Sequence, residues 1–165
     1  MKQRRNILFA IGINKYNSPA WKDLDNAVVD AKAIINLLIE RYSFELYPDP
    51  LFNEDSTTKN IYDSFNSLKF FLEPGDNLII FFAGHGHINP YTHRGYWVPF
   101  DGTISVDTLI ENSVVKDFIE DLECHHIWLI ADSCFSGTFL TRTRGILNEQ
   151  TYQNLDQRKS RWMLA

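Results

Sequence analysis

The stretch LIIFFAGHGH, residues 78–87, is the part of the sequence that says most about how the chain folds. Its apolar residues 78–82 are typical of a strand that is buried on both faces of a sheet. Glycines on both sides of His85 then end the apolar run. A second run, HIWLIADSC at residues 126–134, passes from apolar residues directly into Asp132 and Cys134. Two buried strands that each lead to a reactive side chain predict a site at one edge of a sheet.

Strand and helix patterns alternate along the rest of the chain. Short apolar runs indicate strands, and apolar residues recurring at intervals of three and four indicate helices between them. This order predicts an α/β domain with a mostly parallel central sheet. The predicted strands are residues 7–13, 44–47, 78–82, 96–98 and 127–131, and the predicted helices begin near residues 24, 57 and 114.

Composition restricts the classes of partner and the compartment. The 165 residues are enough for one domain, and a net charge of −5 without a basic stripe predicts no nucleic-acid partner. Two cysteines cannot form a disulfide framework, which favours a reducing, cytoplasmic location. The apolar run near the N-terminus lacks a cleavage site, and no run is long enough for a membrane helix, so we expect neither secretion nor membrane binding.

His85 and Cys134 are the candidate reactive residues. Parallel α/β sheets bind ligands at the carboxyl ends of their strands, so both residues are expected at one edge. An imidazole beside a thiol can produce the thiolate, which is the nucleophile. The backbone N–H groups of Gly86 and Cys134 could hold a developing oxyanion. The competing interpretation is a packed thiol and a structural histidine, but polar residues around Cys134 and glycines around His85 leave both with few packing neighbours.

At this point the sequence resembles a family. FFAGHGH (residues 81–87) and IADSCFSG (residues 130–137) are similar to the His and Cys motifs of caspase-like cysteine peptidases of the C14 type, specifically the metacaspase and bacterial caspase-like branch. The opening FAIGINKY and LDNAVVDAKAI also resemble that family's first strand and helix. Positions 85 and 134 lie 49 apart, close to the roughly 50 residues typical of caspases. The resemblance implies a three-layer caspase-like (caspase–hemoglobinase) fold and a peptidase in which His85 is the general base and Cys134 forms an acyl-enzyme.

The triplet Asp132-Ser133-Cys134 bears on specificity. Caspases proper carry Gln-Ala-Cys and cut after aspartate, whereas this triplet resembles that of metacaspases, which cut after Arg or Lys. In an extended chain Asp132 points to the same side as Cys134, where a carboxylate attracts a guanidinium and repels an acidic side chain. The resemblance implies a second carboxylate for the same pocket at Asp30. A solvent-facing helix charge is the alternative for Asp30, and Asp25 is the second candidate.

We expect neither a metal nor another cofactor. Many metacaspases need calcium, but the loop HINPYTHRGYWVPFDGT (residues 87–103) contains one carboxylate, Asp101, too few for an oxygen-rich calcium site. The remaining His and Cys residues lack the spacing of a zinc site. They are His87, His93, His125, His126 and Cys124.

The resemblance also predicts how the chain is organised. Residues 1–140 would be the catalytic large-subunit domain, 141–159 a polar and cleavable linker, and 160–165 the start of a further strand in a chain that continues or is processed. The expected partners are a protein or peptide substrate, a small-subunit segment of the same precursor, and a regulatory domain or protein. An exposed loop that is not cut is the alternative for the linker. The candidate self-cleavage sites are Arg142, Arg144, Arg158, Lys159 and Arg161.

Two other functions fit parts of the sequence. The first is a caspase-like module without activity that serves as a binding or scaffold domain, against which the intact His85 and Cys134 argue. The second is an esterase of the α/β-hydrolase type, which needs a Gly-x-Ser/Cys-x-Gly turn and a later histidine. Asp132 stands where the first glycine would be, and no histidine follows Cys134.

Overall fold

A parallel sheet of six strands forms the centre of the molecule. The structure is a computed structural model that describes residues 4–133 and the backbone of the strand at residues 160–164. Its strands are β1 (Asn6–Gly12), β2 (Glu45–Leu46), β3 (Leu51–Phe52), β4 (Asn77–Ala83), β8 (His126–Asp132) and β9 (Ser160–Leu164). They lie in the order β2-β1-β4-β8-β9, with β3 also paired to β1, and every pairing in this sheet is parallel.

Within residues 4–133, three α-helices cover the two faces of this sheet. Helix α1 (Ala27–Tyr42) packs on one face, and α2 (Thr58–Phe71) and α3 (Asn112–Asp121) pack on the other. Alternate residues of β4 therefore enter different cores: Phe81 lies in the α1 core and Phe82 in the α2 and α3 core. Burial on both faces explains the uninterrupted apolar run, and the predicted three-layer α/β architecture is confirmed.

The first turn of helix α1 packs closely against the last residue of β1. A Cβ atom on Gly12 would lie 2.9 Å from the carbonyl oxygen of Ala27 and 3.0 Å from the Cβ of Ala31. The Asn14 side chain accepts a hydrogen bond of 3.1 Å from the N–H of Val28, in the first turn of the helix. The start of α1 is thereby fixed at the edge of the sheet to which β4 and β8 also lead.

A second, antiparallel sheet of three short strands follows β4. Its order is β5 (Gly86–Ile88), β6 (Gly95–Trp97) and β7 (Ile110–Glu111). The sequence predicted only β6, because strands of two or three residues carry too little alternation to detect. The strand predicted at residues 44–47 is found as the two-residue strand β2, and β3, which follows Pro48 and Pro50, was not predicted.

Both ends of the predicted second helix agree with the structure. The Thr57 side chain accepts a hydrogen bond of 3.2 Å from the N–H of Asn60 and so caps α2, which ends at Phe71 before Pro74. A third helix is found near residue 114, as predicted, and β9 forms at residues 160–164. Across residues 4–133, the structure contains no helix that is long and apolar enough to span a membrane.

Candidate active site

Strands β4 and β8 lead the two candidate reactive residues to the same edge. They are neighbours, run parallel, and pair in a register that places Ala83 opposite Asp132. One residue further, the N–H of Gly84 donates a hydrogen bond of 3.3 Å to the carbonyl oxygen of Asp132. The expectation that these strands are parallel neighbours is thus confirmed. Cys134 itself lies outside the described residues.

His85 has close aromatic neighbours, contrary to the expectation that its flanking glycines leave it few. The ring centroids of Tyr16 and Trp21 lie 4.8 and 5.9 Å from that of the His85 imidazole. The Nε2 atom lies 2.7 Å from the carbonyl oxygen of Lys22. These neighbours come from the loop between β1 and α1, so the imidazole is partly buried and its position is fixed.

The contact with Lys22 determines which nitrogen of His85 can take a proton. A carbonyl oxygen only accepts hydrogen bonds, so Nε2 must be the donor at 2.7 Å. In the neutral imidazole Nδ1 is then the acceptor. The arrangement therefore suits His85 to act as a general base through Nδ1.

Tyr16 contacts the main chain of His85 as well as its ring. The Tyr16 hydroxyl accepts a hydrogen bond of 2.7 Å from the N–H of His85 and donates one of 3.2 Å to the carbonyl oxygen of Ile13. Burial raises the pKa of Tyr16 well above its usual value, so this hydroxyl stays protonated. Sequence reasoning missed Tyr16 and Lys22. The available signal was the pair of aromatic residues, Tyr16 and Trp21, in the loop that follows a buried strand.

The predicted specificity carboxylates lie at this same edge. Asp132 is the last residue of β8 and is exposed, and it falls on the α1 side of the sheet together with Ile130. Asp30 is exposed in the first turn of α1, and Asp25 is exposed just before that helix. Within residues 4–133, neither Asp30 nor Asp132 forms an ion pair.

Gly86 has a fixed backbone next to His85. It is the buried first residue of β5 and pairs with Trp97. The carbonyl oxygen of His85 accepts a hydrogen bond of 3.0 Å from the N–H of Val98, just beyond β6. The small antiparallel sheet thus anchors the turn that carries His85. The oxyanion role of the Gly86 and Cys134 N–H groups stays a prediction.

The other cysteine and histidines lie in different surroundings. Cys124 is fully buried within the core on the α2 and α3 side. His87 contacts Trp21 at 5.6 Å between ring centroids, whereas His125 and His126 lie at the opposite edge of the sheet. Among residues 4–133, no three His, Cys, Asp or Glu side chains are grouped as a metal site requires.

Asp101, the single carboxylate of the loop considered for calcium, is used by helix α2. Its Oδ1 atom accepts hydrogen bonds from the backbone N–H and the hydroxyl of Thr58, at 2.8 and 3.0 Å. This carboxylate therefore holds a helix terminus. The absence of a calcium requirement stays a prediction.

Of the candidate self-cleavage sites, one lies in a described segment. Arg161 is in β9, where it pairs with Ile127 of β8. The others lie outside the described residues: Arg142, Arg144, Arg158 and Lys159.

Known proteins are similar to this chain in sequence and in fold. A family model for the caspase domain matches residues 5–161. Metacaspase-1 of Eremothecium gossypii is 27% identical over 158 residues, which are 84% of this chain and 34% of that protein. Metacaspase-1B of Aspergillus fumigatus is 27% identical over 166 residues, covering 89% of this chain and 40% of that one. The chain thus spans less than half the length of these curated relatives.

Solved structures share the fold at low sequence identity. Protein GSU0716 from Geobacter sulfurreducens superposes with a TM-score of 0.65 at 20% identity, over 79% of this chain and 50% of that one. The Drosophila initiator caspase Dronc superposes with a TM-score of 0.58 at 15% identity, over 76% and 47% of the two chains.

Proposed function

The chain belongs to the caspase-domain family of cysteine peptidases, and from that premise we propose that it is an endopeptidase that cuts after Arg and Lys. The observation that carries the proposal is the parallel register in which Ala83 faces Asp132. His85 and Cys134 each follow these paired residues by two positions. The base and the nucleophile of a cysteine peptidase would thus leave the sheet from neighbouring strands.

The proposed reaction begins with transfer of the Cys134 thiol proton to Nδ1 of His85. The thiolate attacks the carbonyl carbon of the substrate, and the N–H groups of Gly86 and Cys134 stabilise the oxyanion. His85 then returns the proton to the leaving amine, which produces an acyl-enzyme. Water, deprotonated by His85, hydrolyses this thioester and restores the thiol. No metal takes part in these steps.

The preference for a basic residue rests on two carboxylates, Asp132 and Asp30. Both are exposed at the same sheet edge and on the same face of the sheet, and neither is neutralised by an ion pair within residues 4–133. Arg and Lys both complement such a pocket by charge, and Arg adds paired hydrogen bonds to a carboxylate. An acidic substrate side chain would be repelled.

Turnover of a fluorogenic peptide with Arg at the cleaved position tests the catalytic proposal. We expect Cys134→Ala to abolish turnover. Cys124→Ala is the matched control, because it removes a thiol that is fully buried in the core and should leave turnover in place. Equal turnover in the parent and Cys134→Ala would refute the peptidase, and a parent without thiol-dependent turnover would favour the inactive scaffold module.

Specificity is tested with peptides that carry Arg, Lys or Asp at the cleaved position. Asp132→Asn should lower kcat/KM for the Arg peptide by roughly 10- to 100-fold, the range for a lost charge-assisted hydrogen bond. Asp30→Asn is compared with Asp25→Asn, which removes a nearby exposed carboxylate before the same helix. If Asp25→Asn lowers kcat/KM more than Asp30→Asn does, Asp25 and not Asp30 is the second carboxylate of the pocket. Preference for the Asp peptide would refute the acidic pocket.

The remaining proposals concern how the chain is processed, where it is located and what it binds. We propose that the chain is the large-subunit region of a cytoplasmic precursor that cuts its own linker, joins a small-subunit segment and responds to a regulatory partner. Cleavage at Arg161 would first require β9 to separate from β8, since peptidases bind extended, unpaired substrate. Replacing Arg142, Arg144, Arg158 and Lys159 together by Ala should therefore block self-cleavage, as followed by gel electrophoresis.

The proposed reaction also needs no metal ion. A chelator should therefore leave the rate of peptide turnover unchanged.

A further inference from the structure

We propose that Tyr16 is a positioning residue for His85, which keeps the imidazole in the tautomer whose Nδ1 is free to accept a proton. This inference rests on the proposed function, because it assigns Tyr16 a role in that reaction. Tyr16 does not touch the reacting atoms in the proposed steps. It would act through the backbone and the ring of His85.

The Tyr16 hydroxyl joins two separate parts of the chain at the site. It accepts a hydrogen bond from the N–H of His85 at 2.7 Å and donates one to the carbonyl oxygen of Ile13 at 3.2 Å. Its donor and one of its acceptor positions are therefore both used. The phenol ring also lies beside the imidazole, with 4.8 Å between their centroids. Main chain and ring of His85 are thus both held by one side chain.

The turn before His85 is shaped around this phenol. A Cβ atom on Gly84 would lie 3.1 Å from the Tyr16 hydroxyl oxygen and 3.2 Å from Cζ of Phe82. Contacts this close are rare for a real Cβ atom, so any side chain at this point would press on the phenol and on Phe82. The backbone can therefore pass directly over the hydroxyl and place the His85 N–H against it.

The loop that contains Tyr16 also provides the acceptor for Nε2. The carbonyl oxygen of Lys22 lies 2.7 Å from Nε2. Two backbone hydrogen bonds anchor the loop on either side of Lys22. The N–H of Leu24 donates to the carbonyl oxygen of Asn14 at 2.8 Å, and the N–H of Asn17 donates to the carbonyl oxygen of Phe100 at 2.9 Å. His85 is thus held at two points, by Tyr16 at its main chain and by Lys22 at its ring.

Loss of the Tyr16 hydroxyl would remove the hydrogen bond that holds the main chain of His85. The N–H of His85 and the carbonyl oxygen of Ile13 would lose a shared partner, and the turn could shift relative to Lys22. A weakened bond from Nε2 would allow the tautomer that carries its proton on Nδ1, which cannot accept a proton there. Tyr16→Phe makes this change while it keeps the ring, and so separates positioning from packing.

The test compares Tyr16→Phe with Tyr47→Phe. Tyr47 is the matched control, because its hydroxyl also forms a hydrogen bond, 2.8 Å to the Ser67 hydroxyl, and its ring is stacked on Phe71 at 3.6 Å. Two quantities are measured: the imidazole ¹⁵N shifts of His85, which report the tautomer, and kcat and KM for the Arg peptide. In Tyr16→Phe we expect kcat to fall about 10- to 100-fold, KM to stay within about twofold, and the Nε2-protonated tautomer to lose population. Tyr47→Phe should change neither.

Several outcomes would overturn the inference. One is a Tyr16→Phe variant with parental ¹⁵N shifts and kcat, and another is an equal loss in Tyr47→Phe. If the parent shows no peptidase activity, the proposed function fails, and the ¹⁵N shifts alone decide the role of Tyr16. If Tyr16→Phe does not fold, hydrogen exchange in the parent decides: the His85 N–H should be as protected as those of β4, and exchange at the rate of an exposed loop refutes the contact.

Discussion

The orientation of His85 depends on residues far from it in the chain. Tyr16 and Lys22 precede it by 69 and 63 positions. The motif FFAGHGH was enough to single out His85, because a histidine between glycines after a buried strand is unusual. It could not indicate the tautomer, since the acceptor is a backbone carbonyl that any residue would supply. Side-chain identity is readable from sequence, whereas a long-range contact to main chain is not.

Gly84 is the residue at which this arrangement should be most sensitive to added volume. In Gly84→Ala the new Cβ would meet Phe82, whose ring is stacked on Trp97 at 4.2 Å and has little room to move. We expect a loss of about 1–3 kcal/mol in the free energy of unfolding, as for other overpacked sites. Urea unfolding measures it. Gly75→Ala is the control, since no atom of the described residues, apart from its chain neighbours, lies within 4 Å of its Cβ position. Equal stability of the two variants would contradict the prediction.

Among the elements, length and burial decided which could be predicted. Strands β1, β4 and β8 are seven residues each and were visible as apolar runs. Strands β5 and β7 have three and two residues, which are too few to show an alternating pattern. Yet β5 contains Gly86 and anchors the turn of His85. An element that is essential to the site was therefore invisible to a search for periodic patterns.

Helix α2 allows a prediction about the loop that carries Asp101. Because Asp101 accepts two hydrogen bonds from Thr58 at the first turn, Asp101→Ala should lower the free energy of unfolding by about 1 kcal/mol. Asp49→Ala removes an exposed carboxylate between β2 and β3 and should stay within about 0.5 kcal/mol of the parent. Chemical denaturation with and without calcium measures both effects. Stabilisation of the parent by calcium that Asp101→Ala abolishes would instead identify Asp101 as a ligand.

In the molecule as a whole, the two edges of the parallel sheet have different roles. The carboxyl ends of β1, β4 and β8 converge on the candidate site, whereas their amino ends meet at an ion pair between Arg5 and Asp76. Arg5 donates to Asp76 at 3.1 Å through Nε, and it also donates to the carbonyl oxygen of Phe71 at the end of α2. A strand of seven residues separates the edges by roughly 20 Å. Changes at this ion pair should therefore alter stability and leave the site intact.

The pH dependence of stability tests that division. Burial alone would raise the pKa of Asp76, but hydrogen bonds from Arg5 and from the N–H of Glu73 outweigh it and hold the pKa below its ordinary value. A carboxyl with a lowered pKa in the folded state stabilises the protein fully above about pH 4, and this contribution is lost as the pH falls through the folded value. Asp76→Asn should therefore be less stable than the parent at neutral pH and lose less stability on acidification.

Urea unfolding between neutral pH and about pH 2.5 measures the effect, because this range extends below the ordinary pKa of aspartate. Asp63→Asn is the matched control: its carboxylate pairs with Lys59 on the exposed surface of α2, where an ion pair contributes little. Parallel curves of unfolding free energy against pH for the parent and Asp76→Asn would contradict the assigned role of Asp76.

The same two variants test whether the ion pair affects the site. Turnover of the Arg peptide at neutral pH should equal that of the parent in both variants. A loss of kcat in Asp76→Asn under conditions where it is fully folded would show instead that the two edges of the sheet are coupled.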